Sequence, residues 1–131
     1  MRITSFYAAL LALLFGVLSI RTLRLRRSLR VAVGDAGDTR LLRAMRVHAN
    51  FAEYVPLCLL LAGFCEAQGT PAAWLHVALA GLLVGRLSHA YGVSRVDERY
   101  GFRVVGVALT LTVLFASAMR LIVLFVNGHG T

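Results

Sequence analysis

One uncharged stretch near the start of the chain is the strongest constraint on its fold. From Ile3 to Ile20 the sequence contains no charged side chain. A helix over those residues would be about 27 Å long, close to the thickness of the hydrocarbon core of a bilayer. The stretch is longer than the apolar core of a signal peptide, roughly 7–15 residues, and no clear small-residue cleavage site follows it. The sequence therefore predicts a first transmembrane helix that stays in the mature protein.

The remainder of the chain also consists of long apolar runs. Hydrophobic residues make up 59% of the 131 residues and the mean hydropathy is +0.76, well above the usual soluble range. The apolar runs are separated by turn signals: Gly34 to Asp38, Gln68-Gly69 before Thr70-Pro71, and Gly92. Asp38 or Thr39 is expected to cap the second helix, and Thr70 the third. We predict a single all-α domain over residues 1–131, an integral membrane four-helix bundle with helices at about 3–22, 39–67, 71–91 and 102–126.

The charge of the chain is carried by arginine. Its net charge of +8 comes from fourteen arginines and no lysine. Such a basic chain invites a nucleic-acid interpretation, but its hydrophobicity argues against that partner. Twelve of the arginines lie in residues 21–46 or 86–103, around the first and third connectors. The positive-inside rule then places both of these connectors in the cytoplasm and both termini on the outer side of the membrane.

A polar stripe opens the second predicted helix. Arg46, Asn50 and Glu53 fall within about 60° of one another at 100° per residue, and Arg43 joins them one turn earlier. A carboxylate inside an apolar helix is expensive to bury, so it marks a functional site with a nearby partner. A structural ion pair between Arg46 and Glu53 is the plainer alternative.

The alternating directions of four spans bring further polar residues to the same end of the bundle. They come from the ends of helices 1 and 3 and the starts of helices 2 and 4: Arg24, Arg26, Arg46, Asn50, Glu53, Arg86, His89 and Arg103. Cys58 and Cys65 lie inside an apolar run, where buried cysteine is commoner than a metal or disulfide pair. No metal-binding motif occurs, and we predict no metal site.

Three strings of residues carry a family resemblance. They are Arg30-Val-Ala-Val-Gly-Asp-Ala-Gly, Arg46-Val-His-Ala-Asn-Phe-Ala-Glu-Tyr-Val-Pro56 and Gly85-Arg-Leu-Ser-His-Ala-Tyr-Gly92. With them the whole chain resembles the MAPEG family, the membrane-associated proteins in eicosanoid and glutathione metabolism, and in particular its small bacterial inner-membrane members. The resemblance implies a homotrimer that binds glutathione as co-substrate between subunits, near the cytoplasmic face.

The same resemblance implies a role for individual residues. Arg103, at the start of the fourth helix, is the expected catalytic residue, because the matching arginine stabilises the glutathione thiolate. The residues expected to hold glutathione are Arg46, Asn50, Glu53, Tyr54, Arg86 and His89, with Arg24, Arg26 and Arg27 contributed by a neighbouring subunit. For His89, a side chain that merely faces the membrane interface is the alternative.

The function that follows is a membrane glutathione transferase or peroxidase for detoxification. It would conjugate glutathione to lipophilic electrophiles, or reduce lipid hydroperoxides, that arrive from the bilayer. Val104 and Val107 stand where some catalytic members carry a serine and a tyrosine. A non-catalytic membrane protein that binds lipid or glutathione on the same fold is therefore the alternative. A small four-helix exporter ranks third, because such proteins usually carry a carboxylate in the first helix and Ile3–Ile20 has none.

Overall fold

The computed structural model describes residues 1–95 and 99–128, and this part of the chain is all-α. Its four helices are α1 (Arg2–Leu29), α2 (Thr39–Ala67), α3 (Ala72–Ser94) and α4 (Tyr100–Gly128). The predicted number and order of helices are therefore confirmed. Contacts between helix ends place the end of α1, the start of α2, the end of α3 and the start of α4 at one end of the bundle.

The first helix is longer than predicted. It does not end near residue 22 but continues to Leu29, and Arg30 closes it in the left-handed conformation at φ 55°. The apolar run marks only the part that suits a membrane, whereas the following arginines and leucines are good helix formers and extend the helix beyond it. Arg24, Arg26 and Arg27 consequently lie on the helix rather than in a connector.

The starts of α2 and α3 differ in how they are capped. Asp38 caps α2 as predicted, since its Oδ1 accepts hydrogen bonds from the backbone N–H of Arg40 at 2.8 Å and of Leu41 at 3.1 Å. The hydrogen bond from the Arg40 side chain lowers the pKa of Asp38 to about 2. Thr70 does not cap α3, which begins at Ala72 after Pro71. Its Oγ1 instead accepts a hydrogen bond from Arg120 Nε at 3.4 Å.

Three of the described helices are long and apolar enough to cross a membrane. They are α1, α2 and α4, with mean hydropathies of 2.2, 1.3 and 2.2 over their most apolar stretches. The third helix is not among them, and it carries His76, Arg86 and His89 between its apolar residues. Its crossing of the membrane stays a prediction, as does the side on which the termini lie.

The buried core runs along the middle of the bundle. It contains residues from all four helices: Leu11, Leu18, Val47, Phe51, Val55, Cys58, Ala62, Leu79, Leu82, Val93 and Val113. His48 of α2 packs against α1, where its ring stacks on Phe15 with centroids 4.6 Å apart. Within the described residues α1 packs on α2 and α3 and does not contact α4.

Glycines set the distance between α3 and α4, the most extensively packed pair. A Cβ built on Gly106 would lie 2.7 Å from the backbone of both Gly85 and His89. One on Gly92 would lie 2.9 Å from the backbone nitrogen of Arg103. Gly81 and Gly85 have the GxxxG spacing that allows helices to approach closely, and Gly85 uses it for packing within the subunit.

The opposite end of the bundle is held by one carboxylate. Glu66, in the last turn of α2, accepts hydrogen bonds from the backbone N–H of Ile3 at 2.9 Å and of Thr4 at 2.8 Å. Its Oε1 also lies 3.8 Å from the terminal amino group of Met1. Because the first N–H groups of a helix have no partner within the helix, Glu66 both caps α1 and fastens it to α2.

The close approach at Gly106 predicts a large effect from one methyl group. Gly106→Ala places its Cβ against backbone atoms, which cannot move aside as a flexible side chain does. Overpacking of this kind costs about 1–3 kcal/mol, more than alanine gains from its helix propensity. We expect the midpoint of thermal unfolding in detergent to fall by about 5 °C or more. Gly16→Ala is the matched control, since nothing lies within 4 Å of its Cβ. Equal midpoints for both variants would contradict this account.

Candidate functional site

A cleft of about 530 Å³ opens where the polar ends of α2, α3 and α4 meet. Its volume is typical of sites for small organic ligands, roughly 300–1,000 Å³. Its walls combine polar and apolar side chains: Thr39, Leu42, Arg43, Arg46, Ala49, Asn50, Glu53, His89, Val93 and Arg103. Five of the residues predicted from sequence to bind or act on glutathione are therefore brought together here.

One wall of the cleft is the polar stripe of α2. Arg46 and Glu53 are exposed and Asn50 between them is half-buried. Along a helix, seven residues place Arg46 and Glu53 about 10.5 Å apart. No ion pair joins them in the described part of the chain. The alternative of a structural Arg46–Glu53 pair is therefore wrong for this subunit.

Arg86 lies behind that wall rather than in it. Its side chain is only 2% exposed, and Nη1 donates to Asn50 Oδ1 at 2.8 Å while Nη2 donates to the carbonyl oxygen of Gly106 at 3.2 Å. Its Nε has no hydrogen-bond partner among the described residues. A guanidinium only donates hydrogen bonds, so Arg86 holds the amide oxygen of Asn50 and leaves the amide N–H groups of Asn50 for other partners. The buried guanidinium of Arg86 is thus separated from the cleft by the side chain of Asn50.

The other walls of the cleft belong to α3 and α4, whose relative position is set by the close glycine contacts between them. His89 is 5% exposed and lies against Gly106, so it is buried and not the interface residue offered as an alternative. Arg103 enters the cleft from the first turn of α4, where the backbone lies close to Gly92. Arg43 also lines the cleft, and its Nη1 donates to the carbonyl oxygen of Val93 at 3.2 Å.

The remaining predicted residues lie outside the cleft of this subunit. Tyr54 is half-buried on α2 and does not line the cleft. Arg24 and Arg27 line a separate groove at the end of α1. The Arg26 Nη1 is bound within its own subunit, donating to the carbonyl oxygens of Ala32 at 3.2 Å and Gly34 at 3.0 Å. The described residues contain no group of three His, Cys, Asp or Glu side chains that would hold a metal ion.

Five lining residues were not named as ligands from the sequence: Thr39, Leu42, Arg43, Ala49 and Val93. Apart from Arg43, they carry no signal that separates them from other residues near a helix end. Arg43, by contrast, was recognisable, because it stands three residues before Arg46 on the same face of the helix.

The fold and the cleft together define a class. This is a helical membrane protein with a polar cleft at one end of its bundle. The family model of the MAPEG family matches residues 4–123, and the chain belongs to that family. It is also similar to two Escherichia coli proteins, from strain K12 and from strain CFT073 (O6:H1), each named inner membrane protein YecN. Each is 41% identical over 90 residues, which cover 69% of this chain and 69% of the relative.

The hydrogen bond between Arg86 and Asn50 predicts how substitutions of Asn50 affect stability. Asn50→Leu leaves a buried guanidinium N–H without its acceptor, which costs about 1–3 kcal/mol. Asn50→Asp keeps an oxygen at that position and adds an opposite charge. We expect thermal unfolding in detergent to show a lower midpoint for Asn50→Leu, and an unchanged or higher one for Asn50→Asp. If the two substitutions destabilise equally, Arg86 does not depend on the oxygen of Asn50.

Proposed function

We propose that this protein is a glutathione transferase or peroxidase embedded in the bacterial inner membrane. The observation that carries the proposal is the row of Arg46, Asn50 and Glu53 along one wall of the cleft. Membership of the MAPEG family supports glutathione as the co-substrate. The second substrate is a lipophilic electrophile or a lipid hydroperoxide that reaches the cleft from the bilayer.

The row matches glutathione in length and in chemistry. Glutathione is a tripeptide, and three extended residues span about 10 Å, close to the distance between Arg46 and Glu53 along α2. An arginine fork binds a carboxylate with two parallel hydrogen bonds, which suits Arg46 to one end of the molecule. Glu53 accepts hydrogen bonds from the α-ammonium group at the other end. The amide N–H groups of Asn50 are available to a carbonyl oxygen between them, since Arg86 occupies the amide oxygen.

The chemistry requires the thiol as thiolate. A free thiol has a pKa of about 8.5 and is only a few per cent ionised at neutral pH. A decrease of roughly two pKa units makes most of it nucleophilic, and one arginine in a partly desolvated site is sufficient for that change. Arg103 is the proposed source of this charge, and His89 also lines the cleft.

Two reactions follow from a bound thiolate. In transfer, the sulfur attacks an electrophilic carbon and forms a thioether, while the displaced group leaves with its electron pair or the added carbanion takes up a proton. In peroxide reduction, the sulfur attacks the terminal peroxide oxygen, the alcohol leaves, and a second glutathione reduces the sulfenic acid to give a disulfide and water.

The proposed assembly is a homotrimer with each site near the cytoplasmic face. Support comes from the family, from the twelve arginines around two connectors, and from the names of the two Escherichia coli relatives. In such a trimer the arginine-rich end of α1, Arg24–Arg27, adds cations to the site of a neighbour. Part of the Arg26 guanidinium is already hydrogen-bonded to the loop of its own subunit, so only the remainder is available to a neighbouring site.

Calorimetric titration of glutathione into detergent-purified protein tests the row directly. We expect saturable binding by the wild type and a loss of at least tenfold in affinity for Arg46→Ala and for Glu53→Gln, since each removes a charge-assisted hydrogen bond worth about 1.5–3 kcal/mol. Arg2→Ala is the matched control, because it removes one exposed arginine from the opposite end of the bundle. Wild-type protein that binds no glutathione would refute the proposal.

A non-catalytic glutathione-binding protein is the second candidate, and Val104 and Val107 favour it. They occupy the turn of α4 that follows Arg103 and offer no hydroxyl group to a bound thiol.

Ultraviolet absorbance of the thiolate, followed against pH, separates the two candidates. An enzyme is expected to lower the thiol pKa of bound glutathione by about two units, and Arg103→Leu to restore it towards 8.5. Turnover with a panel of electrophiles and hydroperoxides should fall in parallel. Tight binding with an unshifted thiol pKa and no turnover would instead establish the binding protein.

A further inference from the structure

The first turn of α4 rests directly on the last two turns of α3, and Gly92 is the point of closest contact. A Cβ built there would lie 2.9 Å from the backbone nitrogen of Arg103, 3.0 Å from the Cβ of Phe102 and 3.2 Å from the carbonyl oxygen of Arg99. Two of these three atoms belong to the backbone, which cannot turn aside as a flexible side chain does. Only glycine therefore fits at position 92 without a shift of α4.

Two side chains of α3 hold the same turn of α4. The Ser88 hydroxyl, one helical turn before Gly92, donates to the carbonyl oxygen of Phe102 at 2.9 Å. The ring of Tyr91 meets the ring of Phe102 edge to face, with centroids 5.2 Å apart, an arrangement that aromatic pairs prefer. We call Ser88, Tyr91 and Gly92 together the α3 platform. It fixes the first turn of α4 through a backbone contact, a hydrogen bond and a ring pair.

The residue after Phe102 is Arg103, which enters the cleft. Among the described residues it is the only member of α4 that lines the cleft. The other charged or titratable residues of the cleft wall lie on α2 and α3: Arg43, Arg46, Glu53 and His89. A displacement of the first turn of α4 would therefore change the distance between Arg103 and a ligand that these other residues hold.

From this arrangement we infer that Ser88, Gly92 and Phe102 are positioning residues for Arg103, and that they set its distance from the thiol of bound glutathione. The inference rests on the proposed function and assigns none of the three a contact with substrate. A short displacement is sufficient to matter. At an effective dielectric constant of about 20, separating two unit charges from about 4 to about 6 Å weakens their attraction by about a third, which corresponds to roughly one unit of thiol pKa.

The α3 platform acts on a different part of the site from Gly106. The carbonyl oxygen of Gly106 accepts a hydrogen bond from Arg86, and Arg86 holds Asn50 in the row proposed to bind the tripeptide. The platform instead holds the turn that carries Arg103. Substitutions in the platform should therefore change the ionisation of the thiol and leave the binding of the rest of glutathione unchanged.

Gly92→Ala and Gly101→Ala are a matched pair of variants that tests the inference. Each adds one methyl group, but a Cβ on Gly101, in the first turn of α4, has nothing within 4 Å. The first measurement is the thiol pKa of bound glutathione, from ultraviolet absorbance against pH. The second is the affinity for S-methylglutathione, which keeps both carboxylates and the ammonium group but has no ionisable thiol.

We expect Gly92→Ala to raise the thiol pKa of bound glutathione by about one unit, so that thiolate and turnover fall roughly tenfold at a pH below both values. Its affinity for S-methylglutathione should change by less than about twofold, because the α2 row is untouched. Gly101→Ala should match the wild type in both measurements.

Ser88→Ala tests the platform without adding volume, and it is informative even if Gly92→Ala does not fold. Loss of the hydroxyl that donates to Phe102 should raise the thiol pKa in the same direction by a smaller amount. Ser88→Thr keeps a hydroxyl group and should retain the wild-type value.

Three results would overturn the inference. The first is a wild-type thiol pKa in folded Gly92→Ala and Ser88→Ala, and the second is an equal effect of Gly92→Ala and Gly101→Ala. The third is a parallel loss of S-methylglutathione affinity, which would assign the platform a general structural role.

Hydrogen exchange in the absence of glutathione separates this inference from the proposed function. The backbone amides of residues 104–106 should exchange faster in Gly92→Ala and Ser88→Ala than in Gly101→Ala, because their turn is held less firmly. Unchanged exchange would refute the platform. Wild-type protein that binds no glutathione would refute the proposed function, whatever the exchange result.

Discussion

The contact between α3 and α4 at Gly106 is the constraint on which the site depends. The two backbones approach so closely there that no Cβ fits between them. This approach brings the carbonyl oxygen of Gly106 to Arg86 and the side of α4 against His89. Arg86 in turn fixes the amide of Asn50, so a glycine on α4 controls the orientation of a side chain on α2 through one buried guanidinium.

The number and order of the helices followed from the sequence, because hydrophobic runs and turn residues report them directly. The end of α1 did not, since hydrophobicity ends at Ile20 whereas helix propensity continues through the arginines that follow. Tertiary contacts were harder still to predict from the sequence. Thr70 precedes a proline and has the residue type of a cap, yet its hydroxyl is used by Arg120, fifty residues away.

The site followed from the sequence in outline only. Helical spacing placed Arg46, Asn50 and Glu53 on one face, and the alternation of helix directions brought His89 and Arg103 towards them. Spacing along one helix cannot tell which polar residue faces a cavity and which supports the wall from behind, because that depends on the rotation of the neighbouring helix. Arg86 is the example: the family resemblance implied a glutathione ligand, and packing against Gly106 places it behind Asn50. The roles of these residues towards glutathione stay predictions.

The burial of Arg86 has a consequence for the bundle as a whole. Its acceptors among the described residues are an amide oxygen and a carbonyl oxygen, so dipoles rather than an opposite charge surround this cation there. Transfer of a cation from water into such surroundings costs free energy that neutral acceptors only partly return. An anion that settles in the adjoining cleft lowers that cost, and it does so only when the helices are assembled. Occupancy of the cleft by an anion and stability of the fold are therefore thermodynamically linked, so an anion bound there would raise the free energy of unfolding.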